Sequence, residues 1–280
     1  MLGRRTQGIS SALKDKVIII TGASSGIGKS LALEVASRGA TVVISSRNAF
    51  RLQIVAEEVG KLGGKCLTVI ADVTKESDCK YLIEKTLEKY GKIDVLINNA
   101  GISMSALFLE LDISVFEKVL DTNFMGAVYC TKYAIPHILK QRGTVVAISS
   151  ISGLTPLPAR SAYVASKFAL DGFFQTLRIE TMGNGLHILI AHPWFTKSNI
   201  RSSALNKHGV SQKKSPRNED KMMSANKVAQ IIVKAIIKRR KNLILTSKGK
   251  LLARMYNIIP ALTEKLMYRA MKKEQDVAPY

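Results

Sequence analysis

A chain of 280 residues that is 46% hydrophobic and 22% charged has the composition of a packed globular protein. That excludes a disordered chain, a collagen-like repeat and a disulfide-stapled miniprotein. Its 42 Lys and Arg outnumber 21 Asp and Glu unevenly: residues 1–196 carry 22 basic and 16 acidic side chains, net +6, and residues 197–280 carry 20 and 5, net +15. The basic C-terminal part suits an anionic membrane surface or an acidic carrier protein, and equally an ordinary solvated face. No aromatic platform accompanies the lysines, so no nucleic-acid partner is expected. Cys66, Cys79 and Cys130 show no CxxC or metal-ligand spacing, and His137, His187, His192 and His208 show none either, so a reduced, cytoplasmic setting and no metal are expected. The paired arginines Arg4 and Arg5 precede no apolar run, and no stretch of about 18 apolar residues follows anywhere, so neither a signal peptide nor a transmembrane helix is predicted.

From Lys16 onward short β-branched runs alternate with longer amphipathic segments. The pattern predicts a strand at KVIIIT, a helix over Gly26–Arg38, a strand at TVVIS, a helix near Ala49–Lys61 and a strand near Cys66–Ala71. It continues with a helix near Glu76–Tyr90, a strand at Asp94–Ile97, one long helix near Val115–Gln141 and a strand at Thr144–Ser149. A helix near Ala162–Met182, a strand at Leu186–Ala191 and a helix near Asn226–Arg239 follow. Strands apolar almost throughout are buried on both faces, as in a parallel sheet covered by helices. The expectation is one doubly wound α/β domain of the Rossmann type over residues 14–245, with a short lead at 1–13. Residues 196–223, polar and longer than the usual connection, read as a substrate flap, and 246–280 as a basic amphipathic extension of two short helices interrupted at Pro260.

The first strand runs into Thr21-Gly22-Ala23-Ser24-Ser25-Gly26-Ile27-Gly28, a glycine-rich turn that opens a helix. Glycines let the backbone approach a pyrophosphate, and the helix N-terminus offers free N–H groups to it. The second strand ends in Ser45-Ser46-Arg47, with no acidic residue for a ribose 2′-hydroxyl. Arg47 suits the 2′-phosphate of NADP, so NADP(H) is expected over NAD(H). Asn98-Asn99-Ala100-Gly101 follows the fourth strand, and Ser150 lies thirteen residues before Tyr163. Tyr163 and Lys167, four apart at the start of a helix, share a face, and an ammonium beside a phenol is expected to lower the phenol's pKa for general acid–base work.

TGASSGIG, NNAG and the Ser150, Tyr163, Lys167 spacing together resemble the short-chain dehydrogenases/reductases over residues 14–245. The resemblance implies that Tyr163 protonates a carbonyl oxygen, that Ser150 hydrogen-bonds it, that Lys167 holds the nicotinamide ribose and that Asn123 positions a water in a proton relay. It further implies phosphate contacts at Ser24 and Ser25, an adenine contact at Asp72, a place beside the nicotinamide ribose for Asn98, and a carboxamide contact at Thr196 or Ser198. A homodimer or homotetramer through the two long helices is implied as well. One departure stands out: the family's Pro-Gly after the sixth strand is Pro193-Trp194 here. If that position needs positive φ, the tryptophan costs about 1–3 kcal/mol of strain. It then either narrows the substrate pocket, impairs cofactor closure, or packs without consequence.

The reading is an NADP(H)-dependent oxidoreductase that interconverts a hydrophobic carbonyl and its alcohol, with possible peripheral membrane contact through the C-terminal helices. The alternative is a catalytically impaired dinucleotide-binding or membrane-surface regulatory module in which Trp194 closes the substrate side.

Overall fold

The computed structural model describes residues 12–213 and 222–273. Most of the predicted lead at 1–13, residues 214–221 of the flap and residues 274–280 of the extension lie outside the described residues. Strands β1 (Val17–Thr21), β2 (Thr41–Ser46), β3 (Cys66–Ile70), β4 (Val95–Asn98), β5 (Thr144–Ile148), β6 (His187–His192) and β9 (Asn242–Ile244) form one sheet in the order β3-β2-β1-β4-β5-β6-β9. Every pairing in it is parallel. Two short strands, β7 (Thr196–Lys197) and β8 (Met223–Ser224), pair with each other and tie the two ends of the flap together.

The helices are α1 (Gly26–Ala36), α2 (Ala49–Lys61), α3 (Glu76–Tyr90), α4 (Ile113–Leu120), α5 (Gly126–Lys140), α6 (Ser161–Glu180), α7 (Ala225–Ile237), α8 (Ser247–Ile258) and α9 (Pro260–Lys273). Alternation along the buried strands sorts their side chains. Ile18, Ile20, Val42 and Ile44 meet α1, α2 and α7 through Leu31, Val35, Leu52, Val55, Val228 and Ile232. Val17, Ile19 and Val43 meet α3, α5 and α6 through Leu82, Cys130, Ala134, Leu170 and Phe174. Helix α2 starts where the Asn48 side chain accepts the Arg51 N–H at 2.8 Å, the ordinary exchange of a free helical donor for a capping oxygen.

Two elements depart from the sequence expectation. The long helix is not continuous: α4 and α5 are joined by a π turn, Asp121–Met125, which inserts one extra residue and rotates Asn123 inward. The sheet also has a seventh strand, β9, which the pattern did not predict.

The start of the sheet is pinned by Asp94. Its carboxylate, almost wholly buried, accepts the Val17 N–H at 2.9 Å, Lys16 Nζ at 2.8 Å and Lys92 Nζ at 3.1 Å. Burial by itself would raise its pKa, but these three donors outweigh that and hold it below the usual value. Asp94→Asn is expected to cost about 1.5–3 kcal/mol near neutral pH, because charged hydrogen bonds are lost. A carboxylate with a depressed folded-state pKa stabilises above its unfolded value of 3.8 and ceases to do so as pH falls through the folded one. The deficit should therefore shrink in acid, which urea midpoints of the two proteins across that range would register.

Candidate active site

The cleft opens at the C-terminal ends of the strands, above the point where β1 and β4 part and the connections leave in opposite directions, the usual ligand position in a doubly wound sheet. Its volume is about 810 Å³. Among the expected residues, Gly22, Ser24, Ser25, Gly26, Ile27, Gly28, Arg47, Asp72, Ser150, Tyr163, Lys167, Thr196 and Ser198 line it.

The glycine-rich turn comes close enough to its neighbour to forbid side chains. A Cβ on Gly28 would stand 2.4 Å from Gly22 O and 2.5 Å from Asn99 Nδ2, and one on Gly22, whose φ is +65°, would stand 2.7 Å from the Cα of Ala100. Helix α1 then begins behind Ser25, whose side chain makes no capping bond. Bare backbone and a helix N-terminus without a side-chain cap fit the pyrophosphate of a dinucleotide. At one end of the cleft Arg47 Nη1 lies 3.8 Å from Asp72 Oδ2, while Asp72 Oδ1 accepts both the backbone N–H and the hydroxyl of Thr74. Ser46, Asn48 and Arg51 share this end of the cleft. Arg51 carries no signature in the sequence beyond standing four residues after Arg47 on the next helix.

At the other end, Ser150 caps a 3-10 turn, Ile151–Gly153, by accepting the Ser152 N–H at 3.1 Å, and its hydroxyl acts on the Tyr163 phenol to lower its pKa. Lys167, buried where Ser150 and Tyr163 are half-buried, donates to Ile148 O at 2.9 Å, and its Nζ lies 5.7 Å from the Tyr163 ring centre. Asn123 accepts the Ile102 N–H at 2.7 Å and donates to Ile102 O and Ser166 Oγ, each at 2.9 Å. Ser166 in turn donates to the Tyr163 carbonyl at 2.7 Å. The π turn thus brings Asn123 onto the helix that carries Tyr163 and Lys167.

Three expectations need correction. First, the phenol is not lowered by its lysine. Burial pushes the Tyr163 pKa up, and the opposing influences are the Ser150 hydrogen bond and the charges of Arg160 and Arg201. Lys167 points at a strand carbonyl, and burial lowers its own pKa to about 8, against the attraction of Asp171. Secondly, Asn98 faces away from the cleft and donates to Thr131 Oγ1 at 2.9 Å. Its neighbour Asn99 lines the cleft instead and donates to Thr21 O and Gly22 O. Thirdly, Trp194 carries no left-handed strain: it is absent from the non-glycine residues with positive φ, which among the described residues are Asp15, Arg142, Ala159, Lys213 and Arg239. It lines the cleft without filling it.

Sequence reasoning also passed over a buried hydrogen-bonded pair. His192 Nε2 lies 2.6 Å from Asp171 Oδ2, which joins the end of β6 to the helix turn after Lys167. The pair straddles 21 residues of sequence and has no local signature. Among the described residues no cluster of three or more His, Cys, Asp and Glu could hold a metal, and no helix is long and apolar enough to cross a membrane.

A parallel seven-stranded sheet with a glycine-bare nucleotide turn and a Ser, Tyr, Lys group at its carboxyl edge defines a dinucleotide-binding protein of the short-chain type. Residues 16–209 match the family model described as short chain dehydrogenase, and the chain belongs to that family. It is 43% identical over 209 residues to the 11-beta-hydroxysteroid dehydrogenase of Pinus massoniana, covering 73% of this chain and 58% of that protein. It is 44% identical over 193 residues to 11-beta-hydroxysteroid dehydrogenase 1A of Arabidopsis thaliana, covering 68% of this chain and 55% of that protein. The match thus spans little more than half the length of these relatives. Among solved structures, a short chain dehydrogenase/reductase from Burkholderia phymatum in complex with NAD superposes with a TM-score of 0.81 at 23% identity, covering 90% of this chain and 96% of that one. The alcohol dehydrogenase of Thermococcus sibiricus complexed with 5-hydroxy-NADP superposes with a TM-score of 0.74 at 22% identity, covering 83% and 96%. At these identities the likeness is one of fold.

The buried lysine makes stability depend on pH without any ligand. An unfolded chain keeps the Lys167 proton up to 10.5, the folded chain only up to about 8. Between those values the unfolded state holds the extra proton, so stability rises with pH. The wild-type urea midpoint should therefore climb relative to that of Lys167→Met across this window. A constant difference between the two would show that burial does not penalise the ammonium.

Proposed function

We propose that the protein is an NADP(H)-dependent oxidoreductase that interconverts a hydrophobic ketone and its secondary alcohol. The observation that carries this reading is the assembly of Ser150, Tyr163 and Lys167 in one corner of the cleft that also holds the glycine-bare turn. The same assembly argues against a purely regulatory module.

Gly22, Ser24, Ser25, Gly26, Ile27 and Gly28 would hold the pyrophosphate, Asp72 the adenosine end, and Lys167, Thr196 and Ser198 the nicotinamide half. A bound nicotinamide supplies or accepts the hydride. Burial keeps the Tyr163 proton on the phenol, so the tyrosine meets a carbonyl oxygen as a proton donor, and Ser150 provides a second hydrogen bond to the same developing charge. In the reverse direction the phenolate takes the alcohol proton, and the charges of Arg160 and Arg201 favour that form. Both amide protons and Oδ1 of Asn123 are engaged by Ile102 and Ser166, so its side chain holds the Tyr163 helix, and a relay water would rest on its main chain.

NADP(H) over NAD(H) is supported by Arg47 and Arg51 together at the adenosine end and by the lack of an acidic residue at the end of β2. A hydrophobic substrate is supported by Leu157, Phe195, Leu252, Leu266 and Met267 around the remaining space, and by relatives that carry the name hydroxysteroid dehydrogenase. The flap, 196–223, would border that substrate. We read the protein as cytoplasmic and as a homodimer or homotetramer through α4, α5 and α6, without a nucleic-acid partner. Peripheral contact with anionic membrane is supported by the exposed Leu251, Ile258, Ile259 and Leu262 among Lys248, Lys250, Arg254 and Lys265.

Purified protein should consume NADPH with 3-ketosteroids or other apolar ketones, and Tyr163→Phe should lose about 10²–10⁴-fold of that rate. Turnover that survives in Tyr163→Phe would sink the mechanism. In the same assay Arg47→Asp should weaken NADPH and relatively favour NADH; an unchanged preference would put the 2′-phosphate elsewhere. Flotation with phosphatidylserine vesicles should fall when Ile258 and Leu262 are both changed to Asp, and equal flotation would remove these helices from the membrane contact.

A further inference from the structure

Trp194 is the single tryptophan of the chain and stands where the family carries glycine. What its ring touches explains the exchange. One neighbour is Phe195, packed edge-on with ring centres 5.2 Å apart. A second is Gly249, in the first turn of α8. A Cβ there would come within 3.2 Å of Trp194 Cε3, 3.1 Å of Thr246 Oγ1 and 3.3 Å of Ile244 Cγ2. The same turn is fixed from below, because Thr246 caps α8 by accepting the Gly249 N–H at 3.1 Å. The start of the C-terminal extension therefore approaches the indole so closely that even a methyl group at Gly249 would press on its Cε3 edge.

From that seat the helix pair runs along the cleft. Leu252, one turn beyond Gly249, lines the same cavity as Trp194 and Tyr163. After the break at Ile259 and Pro260, Thr263, Leu266 and Met267 follow at helical spacing and line it too. Thr263 is fully buried, its hydroxyl bonded to Ile259 O at 3.0 Å across the break. The wall so formed is apolar apart from that satisfied hydroxyl.

We propose that Trp194 is a specificity-determining residue: by seating Gly249 against its ring it fixes α8 and α9 as the apolar far wall of the cleft, which selects carbonyl substrates long enough to reach Leu252, Leu266 and Met267. The substrate class rests on the reductase reading above; the seating does not. Replacing the ring by glycine leaves the helix pair without its support, and a side chain at Gly249 lifts it from the other side. The two changes act on one contact, so their effects should not add.

The test uses the 280-residue chain loaded with NADP+, which has no hydride to give, and calorimetric affinity for cyclohexanone, 2-decalone and a 3-ketosteroid in place of turnover. Trp194→Gly should weaken the two larger ketones by about tenfold or more while leaving cyclohexanone nearly unchanged. Hydrogen exchange of the α8 and α9 amides should quicken by about tenfold, with β1 and β4 unaffected. Gly249→Leu should reproduce both effects and shift the emission of the lone indole, and the double variant should be no worse than the worse single one. Gly249→Ala, which intrudes by one methyl group, serves if the larger changes unfold the protein. Unchanged exchange in α8 and α9, equal losses for small and large ketones, simple addition in the double variant, or wild-type protein that binds none of the larger ketones would each overturn the proposal. Binding without turnover would count against the reductase reading alone.

Discussion

The cleft depends on a clasp between two strands at the point where they part. Thr21 Oγ1 accepts the N–H groups of Asn99 and Ala100, each at 3.1 Å, and Asn99 Nδ2 returns bonds to Thr21 O and Gly22 O at 2.9 and 3.2 Å. Four hydrogen bonds between one threonine-glycine pair and one asparagine-alanine pair fix the glycine-rich turn against the strand beside it. The clasp closes only because the backbone is bare at Gly22 and Gly28, where a single methyl group would meet backbone or amide atoms at 2.4–2.7 Å. The glycines therefore do two jobs with one property. They let β1 and β4 lie side by side to their ends, and they leave a surface of main-chain atoms for a phosphate to approach.

Burial then sets the chemistry at the other end. A phenol and an ammonium taken out of water both resist charging, so the tyrosine's pKa moves up and the lysine's moves down, to about 8. That drives the two apart, with the tyrosine now the weaker acid, and keeps the proton on the Tyr163 phenol. The structure limits the imbalance on both sides. Arg160 and Arg201 keep the phenolate accessible, and Asp171, held by His192 at 2.6 Å, supports the ammonium one turn away. His192 ends β6 immediately before Pro193 and Trp194, so the electrostatics of the lysine and the course of the substrate wall leave from one residue.

Much of this was legible in the sequence. Helices Ala49–Lys61 and Glu76–Tyr90 have the boundaries that periodicity predicted, because local signals mark them: the Asn48 cap for the first, and for the second Gly91, which takes the left-handed conformation at its end. The nucleotide turn and the spacing of Ser150, Tyr163 and Lys167 were equally local. What was missed is set by tertiary contact. The π turn at Asp121–Met125 interrupts a stretch whose residues keep helical spacing on both sides, and the bonds of Asn123 to Ile102 and Ser166 that accompany it are tertiary. Strand β9 is three residues long and exists by pairing with β6. The choice between Asn98 and Asn99 turned on which side of β4 each faces, and one residue of register reverses that answer. The direction of the Tyr163 shift required knowing how deeply the pair is buried, which spacing does not report.

Trp194 shows how a position can depart from its family without strain. Left-handed backbone would have made a tryptophan costly there, but the chain passes through in an ordinary conformation, so glycine and tryptophan differ at this point only in volume. Volume has to be balanced across a packed contact, and here the balance lies at Gly249, in a segment 55 residues later that the family match over 16–209 does not include. Bulk was added just after the strand and withheld on the helix, so the indole edge and the bare Gly249 backbone meet where two side chains would collide. A departure that looks like an obstruction when read within the catalytic domain becomes, once the C-terminal helices are in place, the surface on which they stand.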